Sequence, residues 1–258
     1  MDEHTQALRE PSEKQRIHLI DEIRGLVLIS MIFFHAAYDV RYIFQEGFEW
    51  FSGPLQLYWQ YSIGWTFVFI AGMATQFSRN SLKRFIQLAL VALLISVVTY
   101  IASVDAMVKF GVIHLLASCA LIYMLFGTML KKFPALPGAL LCFVLFLLTL
   151  PTQSGYLQVF FGVQPALPDI LYNSPYLFWL GFPHPGYVDA DYYPMIPYVF
   201  LYLSGMYTCL HFKQKGFPQV MKELHLPILA KIGTHTLPIY LLHQVVLIAL
   251  LSVVFKVL

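Results

Sequence analysis

Charge is what this 258-residue chain has least of: 12% of its residues are Asp, Glu, Lys or Arg, against about a quarter in a water-soluble domain. With 59% hydrophobic residues, a soluble single domain is excluded, because so few charges could not cover that much apolar surface. Cysteine is nearly absent. Cys119, Cys142 and Cys209 each sit inside an apolar run without C-x-x-C spacing, which leaves small buried hydrophobes rather than a metal or redox role. There is no H-E-x-x-H pair, no G-x-S-x-G elbow and no glycine-rich phosphate loop, so zinc-protease, serine-hydrolase and Rossmann or Walker readings have no residues to rest on. No internal period or low-complexity tract occurs, which removes repeat, collagen-like and disordered classes. The net charge of +2 comes without a basic tract of interleaved aromatics, so nucleic acid is not the partner.

Long apolar runs are what the chain does have. A helix that crosses the hydrocarbon needs about 20 mostly apolar residues, and seven stretches qualify: Ile23–Phe44, Tyr58–Phe77, Phe85–Ala102, Val108–Leu130, Leu136–Leu150, Pro194–His211 and Ile228–Phe255. The fold class expected is all-α: a polytopic integral membrane bundle of about seven transmembrane helices. Ile170–Phe182, broken by Asn173 and Pro175, reads as a re-entrant or interfacial segment. One domain over residues 1–258 is expected, with 1–16 a cytoplasmic tail that carries no removable signal peptide.

With the N-terminus inside, Arg9, Lys14, Arg16, Arg24, Arg79, Lys83, Arg84, Lys131, Lys132, Lys213, Lys215, Lys222 and Lys231 face the cytoplasm, 13 of the 16 basic residues. Only Arg41, Lys109 and Lys256 fall outside, while Asp39, Glu46, Glu49, Asp105, Asp169, Asp189 and Asp191 lie at or beyond the other face. The positive-inside rule then sets the N-terminus in and the C-terminus out, in a membrane of the bacterial cytoplasmic kind. The outer segment 151–193 holds six prolines together with His184, Asp189, Asp191, Tyr192 and Tyr193. Its length points to a lid or acceptor-binding rim in which His184, Asp191 and Tyr192 touch substrate, and packing of an aromatic belt against lipid headgroups explains it equally.

Ionisable residues inside lipid are costly and usually face a cavity or pathway. In the first run, Arg24 and His35 are eleven residues apart, about 20° from one face of a helix. Asp21 precedes Arg24 by three and Asp39 follows His35 by four, so the four form one polar seam. His114 and His243, counted from the ends of their runs, come to a similar depth, just outside the midplane. Either the three histidines converge on one cavity or His114 and His243 act as interhelical hydrogen-bonding groups. Neutral imidazole is a general base near pH 7, and a carboxylate one turn away, as Asp39 is from His35, orients it. The spacing fits no metal site, and a proton-coupled permease or other transporter is the alternative that also uses buried His and Asp.

The stretch IDEIRGLVLISMIFFHAAYD resembles the first transmembrane helix of the heparan-alpha-glucosaminide N-acetyltransferase catalytic-domain family, and its Arg-x10-His spacing is similar to that of the wider transmembrane acyltransferase superfamily. GWTFVFIAGMATQFSR, FGVIHLL, DYYPMIPYVFLYLSGM and IGTHTLPIYLLHQ resemble later helices of that family, in the right order from Arg16 to Leu250. The resemblance implies an acyltransferase that takes acetyl from cytosolic acetyl-CoA and delivers it to an amino-sugar or glycan amine or hydroxyl across the membrane. It puts His35 at the family's polar catalytic position, an asparagine in the lysosomal relatives, whose histidine follows in the next loop. Residues 41–54 contain no histidine, so the duty falls to His35, with Asp39, His114 and His243 around it. Arg24, Arg79, Lys83 and Arg84 stand where the phosphates of CoA would need cations, and positive-inside anchoring explains Arg79 and Arg84 as well. Bilayer, donor and glycan acceptor are the expected partners.

Overall fold

The computed structural model describes residues 16–102, 107–159 and 164–255. Arg9, Lys14, Asp105 and Lys256 of the charge pattern lie outside the described residues. The architecture is helical: α1 (His18–Tyr38), α2 (Gly53–Ala74), α3 (Ser81–Ala102), α4 (Val112–Leu130), α5 (Ala135–Thr149), α6 (Met195–Lys215), the short α7 (Gln219–Lys222) and α8 (Pro227–Thr234), and α9 (Thr236–Val254). No strand occurs among the described residues, only an isolated bridge between Tyr156 and Ala166.

Each of the seven apolar runs yields a long helix, and among the described residues four helices are long and apolar enough to cross a membrane: Ser81–Ala102, Val112–Leu130, Ala135–Ser154 and Thr236–Val254. Three others are of spanning length but more polar. The first turns of α1 carry Asp21, Glu22 and Arg24, α2 carries Gln56 and Gln60 among its tyrosines and tryptophans, and α6 ends on Lys213 and Lys215. One boundary differs from the sequence expectation. The final run, expected as one helix over Ile228–Phe255, is divided at His235 into α8 and α9. Pro238 is the reason: it falls in the first turn of α9, where a missing N–H is harmless, whereas inside one continuous helix it would remove a bond. Ile170–Phe182 forms no helix that could cross; it holds only single 3-10 turns at Asp169–Leu171 and Phe178–Leu180, because Pro175 and the left-handed Gly181 interrupt it.

The described residues divide into two compact units, those within 34–215, and 16–33 together with 216–255. In the first unit α2 and α6 meet backbone to backbone. A Cβ on Gly72 would overlap the carbonyl oxygen of Tyr202, and one on Gly205 that of Phe69, so glycine at both positions is what allows the approach. Helices α4, α5 and α6 share a core of Tyr123, Ala135, Ala139, Cys142, Met206, Tyr207 and Leu210. It is pinned by Ser204 Oγ–H donating to the Ala139 carbonyl (3.0 Å) and Tyr207 OH donating to that of Leu130 (2.9 Å). Helix α3 buries only Leu88 and Ala92, leaving Leu93 61% and Ile101 77% exposed. An apolar face that open is at equilibrium in lipid, not in water.

In the second unit α8 is held against the start of α1. The buried Glu22 carboxylate accepts the backbone N–H groups of His225 (2.7 Å) and of Leu226, the N-cap of α8 (3.0 Å), through Oε1, fixing the two residues that lead into the helix. Gly25 and Gly233 lie against the carbonyls of Leu229 and Asp21. Only Ser252 of α9 is buried.

Candidate functional site

His35 lies in the last turn of α1, half-buried, and one turn further the α-helix widens into a π turn over Asp39–Ile43. Phe44 N–H bonds to the Asp39 carbonyl (2.9 Å), five residues back. Such widened turns often mark functional positions, since they reorient the following residues. Asp39 has no exposed surface at all. A carboxylate at zero exposure, one turn from an imidazole, is the strongest chemical feature of the helix. Around them is an aromatic wall: Phe34, Ala37 and Phe51 form a small core with Trp59 and Ile63, and Phe34 meets His35, Phe51 and Trp59 edge-on at 5.2 to 5.8 Å.

His114 occupies a different setting. Its Nδ1 accepts the N–H of Gly111 (3.2 Å), and its Nε2 lies 2.9 Å from Ser96 Oγ, whose hydroxyl donates to the Val108 carbonyl (2.7 Å). With Nδ1 accepting, the proton of the neutral ring is on Nε2 and donates to Ser96. Both nitrogens therefore tie the start of α4 to α3. His243, in the other unit, lies with Nδ1 2.5 Å from the Tyr240 carbonyl, so the N–H is there and Nε2 is the basic nitrogen.

The expected cofactor cations separate into three kinds. Arg24 pairs with Asp21 at 3.0 Å, and Arg16 reaches the same carboxylate at 2.7 Å. Arg79 is exposed on the turn between α2 and α3 and Lys83 in the first turn of α3, where Asn80 Oδ1 caps the helix by accepting the N–H of Lys83 (2.9 Å). Arg84 turns back, donating from Nη2 to the Ala71 carbonyl in the last turn of α2 (2.9 Å), and Lys213 Nζ donates to the Gln76 carbonyl (3.3 Å). Cations suit that end, where the helix dipole is negative.

The rim residues are organised by a neighbour that sequence reasoning did not single out as a site residue. Asp189 Oδ2 accepts from the N–H of Lys109 (3.1 Å), the N–H of Phe110 (2.7 Å) and the Tyr187 hydroxyl (2.9 Å), while Oδ1 accepts the N–H of Asp191 (3.1 Å). Asp191 Oδ2 in turn accepts the N–H of Val112 (3.1 Å). Asp191 caps the first turn of α4, whose N-cap Gly111 has no side chain to do so, and Asp189 holds the two residues before that N-cap. Lys109 completes the clasp, donating to the Val188 carbonyl at 2.9 Å and lying 5.0 Å over the Tyr187 ring. Tyr192 OH donates to the Phe178 carbonyl (2.5 Å), and His184 sets its ring edge-on to Tyr187 at 5.8 Å. Burial, and then the Asp189 charge, push the Tyr187 and Tyr192 hydroxyls well above the ordinary phenol range. A missing side-chain cap at Gly111, just before an apolar run, was the available signal; that Asp191, some 80 residues on, supplies it and Asp189 holds the residues before it was not readable.

Among the described residues no group of three or more His, Cys, Asp and Glu could hold a metal ion. Apolar helices with open sides, a clasp at the start of α4, and a half-buried His35 one turn from the buried Asp39 at the end of α1 define a polytopic helical membrane protein. The family model for heparan-alpha-glucosaminide N-acetyltransferase, catalytic, matches residues 16–245, and the chain belongs to that family. Membership makes it a membrane acyltransferase. Comparison with curated proteins and with solved structures returned no match.

Proposed function

We propose that this protein takes the acetyl group of cytosolic acetyl-CoA and delivers it to the amine or hydroxyl of an amino sugar or glycan at the outer face of the membrane. The family match over most of the chain carries the reading. Seven spans, with the N-terminus inside and the C-terminus outside, put the basic turns at the donor side and the acidic clasp at the acceptor side. Arg24, Arg79, Lys83 and Arg84 hold the phosphates of CoA. His184, Asp191 and Tyr192 belong to the rim past which the acceptor enters.

At the reacting centre His35 is the general base and Asp39 orients it. The acceptor nitrogen or oxygen attacks the thioester carbonyl as His35 takes its proton; the new C–N or C–O bond forms, the C–S bond breaks, and the CoA thiolate leaves and is protonated. Direct transfer of this kind needs no nucleophilic serine or cysteine. His114 is a positioning residue that ties α4 to α3.

Sealed vesicles of known orientation test the sidedness. Radiolabelled acetyl-CoA on the cytoplasmic side should acetylate a membrane-impermeant amino sugar trapped on the other. Product only when both substrates share one side refutes the transmembrane mechanism. Uptake of an unmodified solute with no acetylation would move the protein to the transporters.

A further inference from the structure

The turn Lys131–Pro134 joins α4 to α5, and both of these helices are long and apolar enough to span, so the turn lies at a membrane surface whichever side it faces. Directly beneath it opens a cavity of about 480 Å³ between α4, α5 and α6, lined by Met129, Phe133, Leu141, Cys142 and Tyr207, with Lys132 at the mouth. That volume is in the range of about 300–1,000 Å³ for ligand sites. Its interior offers a ligand almost nothing to hydrogen-bond. The Tyr207 hydroxyl is already given to the Leu130 carbonyl at 2.9 Å, and its ring is packed on Gly138, where a Cβ would come within 2.9 Å of it. The mouth is the opposite: Lys132 is exposed, and the neighbouring Lys131 ammonium is stationed 5.3 Å over the Tyr123 ring, where the ring quadrupole favours a cation.

An apolar slot with Lys132 in its lining and the Lys131 ammonium next to it in the same surface turn matches a molecule with a hydrocarbon tail and an anionic head. We propose that this groove binds one anionic phospholipid, an acyl chain lying against Tyr207 and Cys142 and the phosphate on Lys132 and Lys131. A nucleotide does not suit the interior, which has no donor or acceptor for a base or ribose. The site is therefore separate from the donor site proposed above, and its occupancy does not depend on the acetyl-transfer reading.

The test uses the full-length protein purified in detergent, with native mass spectrometry in the presence of phosphatidylglycerol or phosphatidylcholine of identical chains. One phosphatidylglycerol should be retained, and Lys131→Gln with Lys132→Gln should lower its retention about 20- to 30-fold, to the phosphatidylcholine level, two surface lysines each contributing roughly fivefold. Leu141→Trp, at a position 50% exposed, should fill the slot and reduce retention of both lipids without unfolding the chain. Alkylation of Cys142, followed at the peptide level, gives a second readout and should slow with phosphatidylglycerol but not with glycerol phosphate. Retention unchanged in both variants, displacement of the lipid by acetyl-CoA, or protection of Cys142 by glycerol phosphate alone would each overturn the proposal.

Discussion

Removing the Asp189 carboxylate tests the clasp at the start of α4 directly. Asp189→Ala deletes the acceptor for the N–H groups of Lys109, Phe110 and Asp191 and for the Tyr187 hydroxyl. A hydrogen bond to a charged group contributes about 1.5–3 kcal/mol when sheltered. Asp189 is half-exposed, so water replaces part of each bond, and about 1 kcal/mol apiece is a fairer figure, or roughly 3–4 kcal/mol in all. Asp189→Asn keeps one acceptor oxygen but turns an NH₂ toward donors and loses the charge, and should cost about half as much. The loss is local, so amide hydrogen exchange is the assay: with Asp189→Ala, the amides of Lys109, Phe110 and Asp191 should exchange about 10²-fold faster or more, while those of α5 and α6 are unchanged. If acceptor entry depends on the rim, KM for the acceptor rises and CoA binding is spared. Exchange at Phe110 within threefold of the wild type would refute the clasp.

His35→Ala should lower acetyl transfer about 10²- to 10⁴-fold while the protein still binds CoA, and Asp39→Asn should be milder; near-normal turnover by His35→Ala, measured with purified protein, would end the first-helix mechanism. Joint replacement of Arg24, Arg79 and Arg84 by Gln should weaken acetyl-CoA binding and flatten its salt dependence, seen by calorimetry, and of the three only Arg84→Gln should also lower thermal stability, because it alone bonds the end of α2. Gly72→Ala should force α2 from α6 and destabilise the fold by about 2 kcal/mol or more, read from thermal unfolding in detergent, whereas Gly155→Ala, in open space but at φ +89°, should cost about 1 kcal/mol. The Tyr187 phenol is held neutral in the fold, its pKa raised from about 10; the stability this gives is complete below that value and is lost as pH climbs beyond it toward the folded pKa. Protection of residues 187–193 should therefore be flat through neutral pH and decline only in strong alkali, and a decline already at about pH 8 would contradict the assignment.

The membrane character, the helical class and the approximate position of each long helix follow from hydropathy, because in lipid a segment must satisfy its own backbone and only length and apolarity decide whether it can. The family was legible for the same reason that single motifs were weak: five hydrophobic patterns in register carry information that none carries alone. Pro238 was the signal for the break in the last run that the expectation of one helix over Ile228–Phe255 passed over. The polar seam of α1 was likewise visible from spacing, since helical periodicity is local. What required the tertiary structure was every polar role set by a distant partner. Whether His114 is a base in waiting or a group tying two helices depends on Ser96, eighteen residues away. That Arg84 spends one guanidinium N–H on the carbonyl of Ala71 depends on where the end of α2 lies. Asp189 looked like one acid among several in a proline-rich segment, and it became the centre of the clasp because the fold brings the residues before the N-cap of α4 to it. A side chain's hydrogen-bonding capacity is written in its identity, but which donor arrives to use it is settled only when helices far apart in the chain have packed.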